Sequence, residues 1–188
     1  MQKNTHKDTN RVAVFGSLRV MAVCSFFVAI SIVCGKYLAI PISTVLRLSF
    51  ENLSVILAGI AFGPIAGASV GVVADLVGCL LVGYEINPLI TVGAGAIGLV
   101  SGVVYKICSK LPTWLSVSLT VVVSHVIGSV LIKTCGLAAF YSMPLFELML
   151  WRSLNYIIVG TLEGIIICAM MKNRALRKQL GVGREGKR

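Results

Sequence analysis

Residues 20–33 read VMAVCSFFVAISIV, fourteen positions without a charge. A strand with one face to lipid and one to a wet lumen would alternate apolar and polar residues. This run does not alternate, so a membrane β-barrel is excluded and a spanning helix is expected. The whole chain agrees. It has 188 residues, is 57% hydrophobic and only 13% charged, and its mean hydropathy is +0.93. An ordinary soluble domain carries about 25% charged residues. A secreted disulfide mini-protein, a disordered tail and a soluble enzyme are ruled out. At about 20 residues per crossing, six helices take roughly 120 residues and leave room only for short loops and two tails.

Apolar runs and their breakers predict spans at 18–39, 47–63, 65–83, 89–104, 113–133 and 145–171. The stretch 134–144 reads as looser, and the Gly/Pro content of 40–44 and 84–88 makes those segments gate candidates. The fold class is therefore an all-α integral membrane protein with six transmembrane helices. A basic N-terminal tail (1–17), a membrane domain (18–171) and a basic C-terminal tail (172–188) make up the chain. The basic start leads into a run long enough to span and stay, so no cleaved signal is expected. Parity supports six spans over five. With the N-terminus in the cytoplasm, six spans collect thirteen of the seventeen basic residues on the inner side, including both tails, Lys106 and Lys110. Five spans would send the Arg-rich C-tail outside.

The net charge of +10 thus describes membrane orientation. The basic segments lack interleaved aromatics and a recognisable binding fold, so nucleic acid is excluded as a partner. The six cysteines, Cys24, Cys34, Cys79, Cys108, Cys135 and Cys168, contain no Cys-x-x-Cys pair and read as small apolar helix residues, neither disulfides nor metal ligands. Small residues recur four apart: Ser25 and Ala29 with Ala22 nearby, Gly67 and Gly71, Ala94, Gly98 and Gly102, Gly160 and Gly164. Such spacing lets helix backbones approach closely in lipid, or offers a docking face to another membrane protein.

Polar residues inside apolar runs are the informative ones. A charge at mid-helix costs about 2.5–3.5 kcal/mol on insertion scales and usually faces a bundle interior or a cavity. In the six-span topology, Arg47 and Asn52 open the second span from outside. Asp75 lies about 12 Å inward of Gly83 at 1.5 Å per residue. Asn87 is at the outer mouth, His125 and Lys133 share a face of the fifth span, and Arg152, Asn155 and Tyr156 share a face of the sixth. These groups are expected to converge on a hollow open to the outside. Glu163 falls in the inner half and fits that hollow poorly. Alternatives stay open: an Asp75–Arg152 structural pair, a merely packed His125, and snorkelling by Arg47 and Lys133.

Missing chemistry narrows the function. No G-x-x-x-x-G-K-[ST] phosphate loop is present, so ATP hydrolysis is not expected of this chain. There is no H-E-x-x-H, and Ser124 and His125 are adjacent on a helix, about 100° apart, without a nucleophile elbow. No enzyme activity, cofactor or metal is expected.

Three segments carry a family resemblance. They are Arg47-Leu-Ser-Phe-Glu-Asn-Leu53, Leu57-Ala-Gly-Ile-Ala-Phe-Gly-Pro-Ile-Ala-Gly67 and Val73-Ala-Asp-Leu-Val-Gly78, joined by Gly83-Tyr-Glu-Ile-Asn-Pro-Leu-Ile-Thr91. Together they resemble the substrate-binding S components of energy-coupling-factor (ECF) vitamin transporters, the folate-specific ones most closely, over about residues 18–171. Ser54 departs from the proline common there. The resemblance implies a six-helix membrane subunit with both termini cytoplasmic, in a bacterial plasma membrane. It would capture folate from outside and release it inward with a transmembrane coupling subunit and two ABC ATPases. Ser25 and Ala29 match the family's small-residue docking motif. For folate, Asp75 is expected to take the pterin's donors, with Asn87 and Asn155 completing the set and Phe50, Tyr84 or Tyr156 stacking on the rings. Lys36, Arg47, Lys133 and Arg152 would favour the anionic tail. The competing readings are another vitamin (riboflavin, thiamine, biotin), a membrane scaffold without a ligand, a hydrolase, and an autonomous secondary transporter.

Overall fold

The structure, a computed structural model, describes residues 18–41, 47–141 and 144–173. The expected tails lie outside these residues, apart from Lys172 and Asn173. Six helices follow in chain order: α1 (Leu18–Tyr37), α2 (Glu51–Phe62), α3 (Pro64–Val82), α4 (Pro88–Lys110), α5 (Thr113–Phe140) and α6 (Leu145–Lys172). The last turn of α1, Val33–Tyr37, and the middle of α5, His125–Lys133, are wound as π-helix. Between α1 and α2, Ile40–Pro41 (β1) pairs antiparallel with Arg47–Leu48 (β2), in the register Ile40↔Leu48 and Pro41↔Arg47.

Among the described residues, five helices are long and apolar enough to cross a membrane. The sixth, α2, has only 12 residues, about 18 Å of helix against a hydrocarbon core of about 30 Å. The span expected from residue 47 is corrected here. Arg47 and Leu48 use their backbone in the β-pair, and the helix starts only at Glu51. Of the polar residues at its start, Arg47 and Ser49 precede the helix, while Glu51 and Asn52 form its first turn. α2 is instead a short central leg that still carries the chain from the Lys36 end of α1 back to the Gly63 turn, which keeps the six-pass parity; Asn52 and every residue from Ser54 to Ile60 are buried.

The 134–144 expectation is also corrected. Helix α5 continues through Thr134–Phe140. Gly136 serves packing there: a Cβ on it would lie 2.7 Å from the Leu89 side chain. The next proline, Pro144, comes where the helix has already ended.

The α2–α3 reversal falls at Gly63, whose φ of +93° is inaccessible to most side chains. It makes two helices of what the Gly63-Pro64 pair left as a possible kink. Positions four residues either side of this turn meet, since a Cβ on Gly67 would lie 2.7 Å from the Gly59 Cα. Helix α4 then wedges against both. Gly98 faces the Gly67 backbone, Gly102 faces Pro64, Gly71 faces the Ala94 carbonyl, and Gly59 faces Ser101. Around this backbone-to-backbone contact sit Ile56, Val70, Ile97, Val117, Val121, Val159 and Ile167, all buried. Large exposed apolar residues ring the outside, among them Phe26, Leu80, Trp114, Trp151 and Ile165, as lipid contact requires.

The small-residue stripes divide into two kinds. Those of α3 and α4 are internal. That of α1 is not: Ala22, Ser25 and Ala29 are all exposed, and Ser25 only returns its hydroxyl to the Met21 carbonyl at 3.0 Å. Gly160 makes room for the His125 ring, 3.3 Å from its Cβ position, whereas Gly164 faces open space. Gly98→Val should therefore force α3 and α4 apart and lower the melting temperature in detergent by several degrees, an overpacking cost of about 1–3 kcal/mol. Gly164→Ala should leave it unchanged. Equal effects of the two substitutions would contradict the packing described.

Candidate functional site

The short α2 leaves a small polar hollow of about 20 Å³, room for a water molecule, at its N-terminal turn. Its walls come from the π-turn end of α1 (Ser31, Ile32, Lys36), from α2 (Glu51, Asn52, Val55), from α3 (Gly71, Ala74, Asp75), and from Ala94 and Lys133. Two lysines and two carboxylates thus face one small space.

Lys133 donates to Glu51 Oε1 at 2.8 Å, tying α5 to α2. Lys133 is buried, while the Glu51 side chain retains 28% of its exposure. Lys36 lies with its ammonium 5.5 Å above the Tyr84 ring and 3.6 Å from Cys79 Sγ. Asp75 Oδ2 accepts the Thr91 hydroxyl at 2.7 Å, which links α3 to α4. Asn52 is 2% exposed, and its amide Nδ2 has no hydrogen-bond partner. A buried donor left unpaired costs about 1–3 kcal/mol.

Glycines create the lanes these side chains occupy. A Cβ on Gly35 would lie 2.7 Å from Glu51 Oε2, one on Gly78 would lie 2.8 Å from Lys36 Cε, and one on Gly93 would lie 2.5 Å from Lys133 Cγ. Each long charged chain runs along a strip of bare backbone on a neighbouring helix.

Of the residues expected at the site, Asn52, Asp75 and Lys133 line the hollow. Arg47 contributes its backbone to β2, and its side chain lies outside the described residues. Phe50 is the N-cap residue of α2, and Tyr84, half exposed, lies under Lys36. Asn87 is corrected as a free binding group. Its side chain accepts from Leu89 N at 3.0 Å, capping α4, and its amide donates to the Gly136 carbonyl at 3.0 Å. One amide N–H and the side-chain oxygen are thus engaged in holding the fold.

His125, Arg152, Asn155 and Tyr156 do not line the hollow either. They belong to a separate polar seam between α5 and α6. His125 Nε2 meets Glu163 Oε2 at 2.7 Å, and its Nδ1 meets Ser129 Oγ at 3.2 Å. The imidazole stacks on Tyr156 with centroids 4.9 Å apart. Tyr156 in turn accepts from Arg152 Nη2 at 3.0 Å. The Asp75–Arg152 pair considered from sequence does not form. Glu163, left out of the hollow on depth, is the buried partner of His125. Glu51 and Lys36 were visible as intramembrane charges, but which way they turn is set by the glycines opposite them.

Residues 16–178 match the family described as ECF-type riboflavin transporter, S component. The chain belongs to that family, and it is an integral membrane transporter subunit with no enzymatic role of its own. Such a subunit takes a vitamin and works with a transmembrane subunit and an ATPase module. The scaffold and hydrolase readings are set aside. Among solved structures, FolT bound with folic acid superposes with a TM-score of 0.70 at 24% identity, covering 85% of this chain and 98% of that one. The S component of a bacterial ECF transporter superposes at 0.52 and 19% identity, covering 86% and 94%. No curated protein matches the chain.

His125→Ala should leave the Glu163 carboxylate without its hydrogen-bond partner and destabilise the bundle by about 3 kcal/mol or more. Measured on the protein that stays folded, vitamin affinity should change less than about threefold. A large loss of affinity at unchanged stability would put His125 at the ligand instead.

Proposed function

We propose that the chain is the folate-binding S component of its transporter. The hollow opens to the outside, and both termini, with the basic tails at 1–17 and 172–188, face the cytoplasm. The observation that carries this reading is the pair of carboxylates, Glu51 and Asp75, beside the unpaired amide of Asn52. A pterin edge offers an amino group and a ring N–H next to a carbonyl: two donors, then an acceptor. A carboxylate accepts the two donors with charge assistance, and an amide N–H serves the carbonyl. Asp75 is the better placed of the two carboxylates. Its anchor is the neutral Thr91 hydroxyl, whereas Glu51 already neutralises Lys133. Phe50 and Tyr84 are the aromatic surfaces at this end of the bundle.

The family description favours a second reading, riboflavin. A flavin presents acceptor, donor, acceptor along the corresponding edge. A carboxylate set against its flanking carbonyl oxygens would meet repulsion, which is why the folate reading is preferred. Transport then proceeds by capture in the hollow and release inward, driven by the coupling subunit and two ATPases. The exposed Ala22, Ser25 and Ala29 stripe of α1 is the surface on which the coupling subunit would dock.

Calorimetric titration of the purified chain with folate, riboflavin, thiamine and biotin tests the assignment. Folate is expected to bind well below micromolar and the others at least tenfold more weakly. Asp75→Asn should weaken folate by roughly 10- to 100-fold, the worth of charge-assisted bonds to a half-buried acceptor, and should narrow the gap to riboflavin. Riboflavin as the tight ligand would overturn the assignment, and unchanged folate affinity in Asp75→Asn would overturn the role of Asp75. Ser25→Trp or Ala29→Trp should abolish uptake in cells while leaving binding by the isolated chain intact.

A further inference from the structure

Along the α3–α4 contact, Pro64 meets Gly102, Gly67 meets Gly98 and Gly71 meets Ala94, backbone against backbone. The partner numbers fall as those of α3 rise, so the two helices run antiparallel. One turn beyond Gly71, Asp75 on α3 therefore stands opposite Thr91 on α4. The backbones are close enough there for two short side chains to meet. The Thr91 hydroxyl donates to Asp75 Oδ2 at 2.7 Å, the length of a hydrogen bond to an ionised acceptor.

A helical threonine commonly returns its hydroxyl to the carbonyl four residues back. That carbonyl, of Asn87, lies 3.3 Å from Thr91 Oγ1. A hydroxyl has one proton to give, and here the nearer carboxylate receives it.

The consequence lies in the torsion of the aspartate. Its last side-chain torsion is broad, without sharp staggered wells, so an unanchored carboxylate presents its edge at many angles. The Thr91 bond removes that freedom. It also leaves the charge of Asp75 in place, because the donor is neutral, whereas the charge of Glu51 is balanced by Lys133. Asp75 lines the hollow and Thr91 does not. What Thr91 does to a molecule in the hollow, it does through Asp75.

We propose that Thr91 is the positioning residue of the vitamin site. It fixes the plane of the Asp75 carboxylate, so that the site accepts a ring edge with two adjacent donors and rejects one that sets a carbonyl oxygen there. The inference rests on the folate reading, in which Asp75 takes the amino group and ring N–H of a pterin. It places a determinant of specificity outside the hollow itself.

The full-length chain, in neutral detergent, is titrated with 6-methylpterin and 6-methyllumazine. At one ring carbon the first carries an amino donor and the second a carbonyl acceptor. The wild type should prefer the pterin at least tenfold. Thr91→Val, nearly the same shape without the hydroxyl, should cut that ratio about three- to tenfold, the worth of one hydrogen bond, through weaker pterin binding. Thr91→Ala should do the same, and it carries the test should the valine variant fail to fold. Thr91→Ser should keep the ratio within about twofold. In an Asp75→Asn background, Thr91→Val should change the ratio less than about twofold, because its effect passes through that carboxylate.

Equal weakening of both rings by Thr91→Val would make Thr91 a tie between helices and overturn the inference. An unchanged ratio would overturn it too, as would an equally large effect in the Asp75→Asn background. A wild-type chain that shows no preference for the pterin, or binds neither ring, would defeat the folate reading and the positioning role with it. A wild-type chain that prefers the pterin while Thr91→Val keeps the ratio would defeat the positioning role alone.

Discussion

Lys133 and Glu51 hold each other at 2.8 Å across the bundle, and much of the architecture is arranged to permit it. Neither charge can stay unpaired inside a membrane domain, where insertion alone costs about 2.5–3.5 kcal/mol for each. Their contact requires α2 to begin at Glu51, well short of a full crossing. It also requires Gly93 under the stem of Lys133 and Gly35 beside the carboxylate. The tight α2–α3–α4 wedge, made of glycines facing backbone, keeps α2 in place. The hollow results from these constraints: a short helix, a bridge across it, and bare backbone where side chains would otherwise fill the space.

Two polar systems follow, with different duties. The first, at the N-terminal turn of α2, combines Glu51, Asn52, Asp75, Lys36 and Lys133 and contains an unsatisfied donor. The second, along α5 and α6, joins Glu163, His125, Ser129, Tyr156 and Arg152 in consecutive contacts. The π-wound stretch His125–Lys133 supplies residues to both, so its widened turns lie between the ligand hollow and the seam. An S component hydrolyses nothing, and the chain lacks any phosphate loop. What it contributes is a set of pre-paid desolvations that a matching vitamin can satisfy.

The six helices were legible because uninterrupted apolar runs have few other solutions in 188 residues. Two boundaries were not. Residues 47–50 read as helix on hydrophobicity, but Arg47 and Leu48 found backbone partners in Ile40 and Pro41, a pairing between distant residues with no local signature. The stretch 134–144 read as looser although α5 continues through Phe140, because a glycine placed for packing, as Gly136 is, looks the same as one placed for a turn. At the site, the sequence exposed the cost of each polar residue but not its direction. Asp75, Asn52 and Lys133 line one hollow. Asn87 precedes a proline-initiated helix, and its capping role was readable from Asn-Pro alone. His125 had no visible partner because Glu163 is 38 residues away. Gly35, Gly78 and Gly93 were the missed signal, since each lies opposite the charged chain it admits.

The central claim is that this hollow is chemically matched to a pterin. It is tested most directly by purifying the chain from folate-replete cells, without added ligand, and identifying what leaves the denatured protein by absorption spectrum and mass. The account predicts a folate-type compound near one equivalent per chain. A flavin in its place, or a protein that emerges empty from such cells, would contradict it.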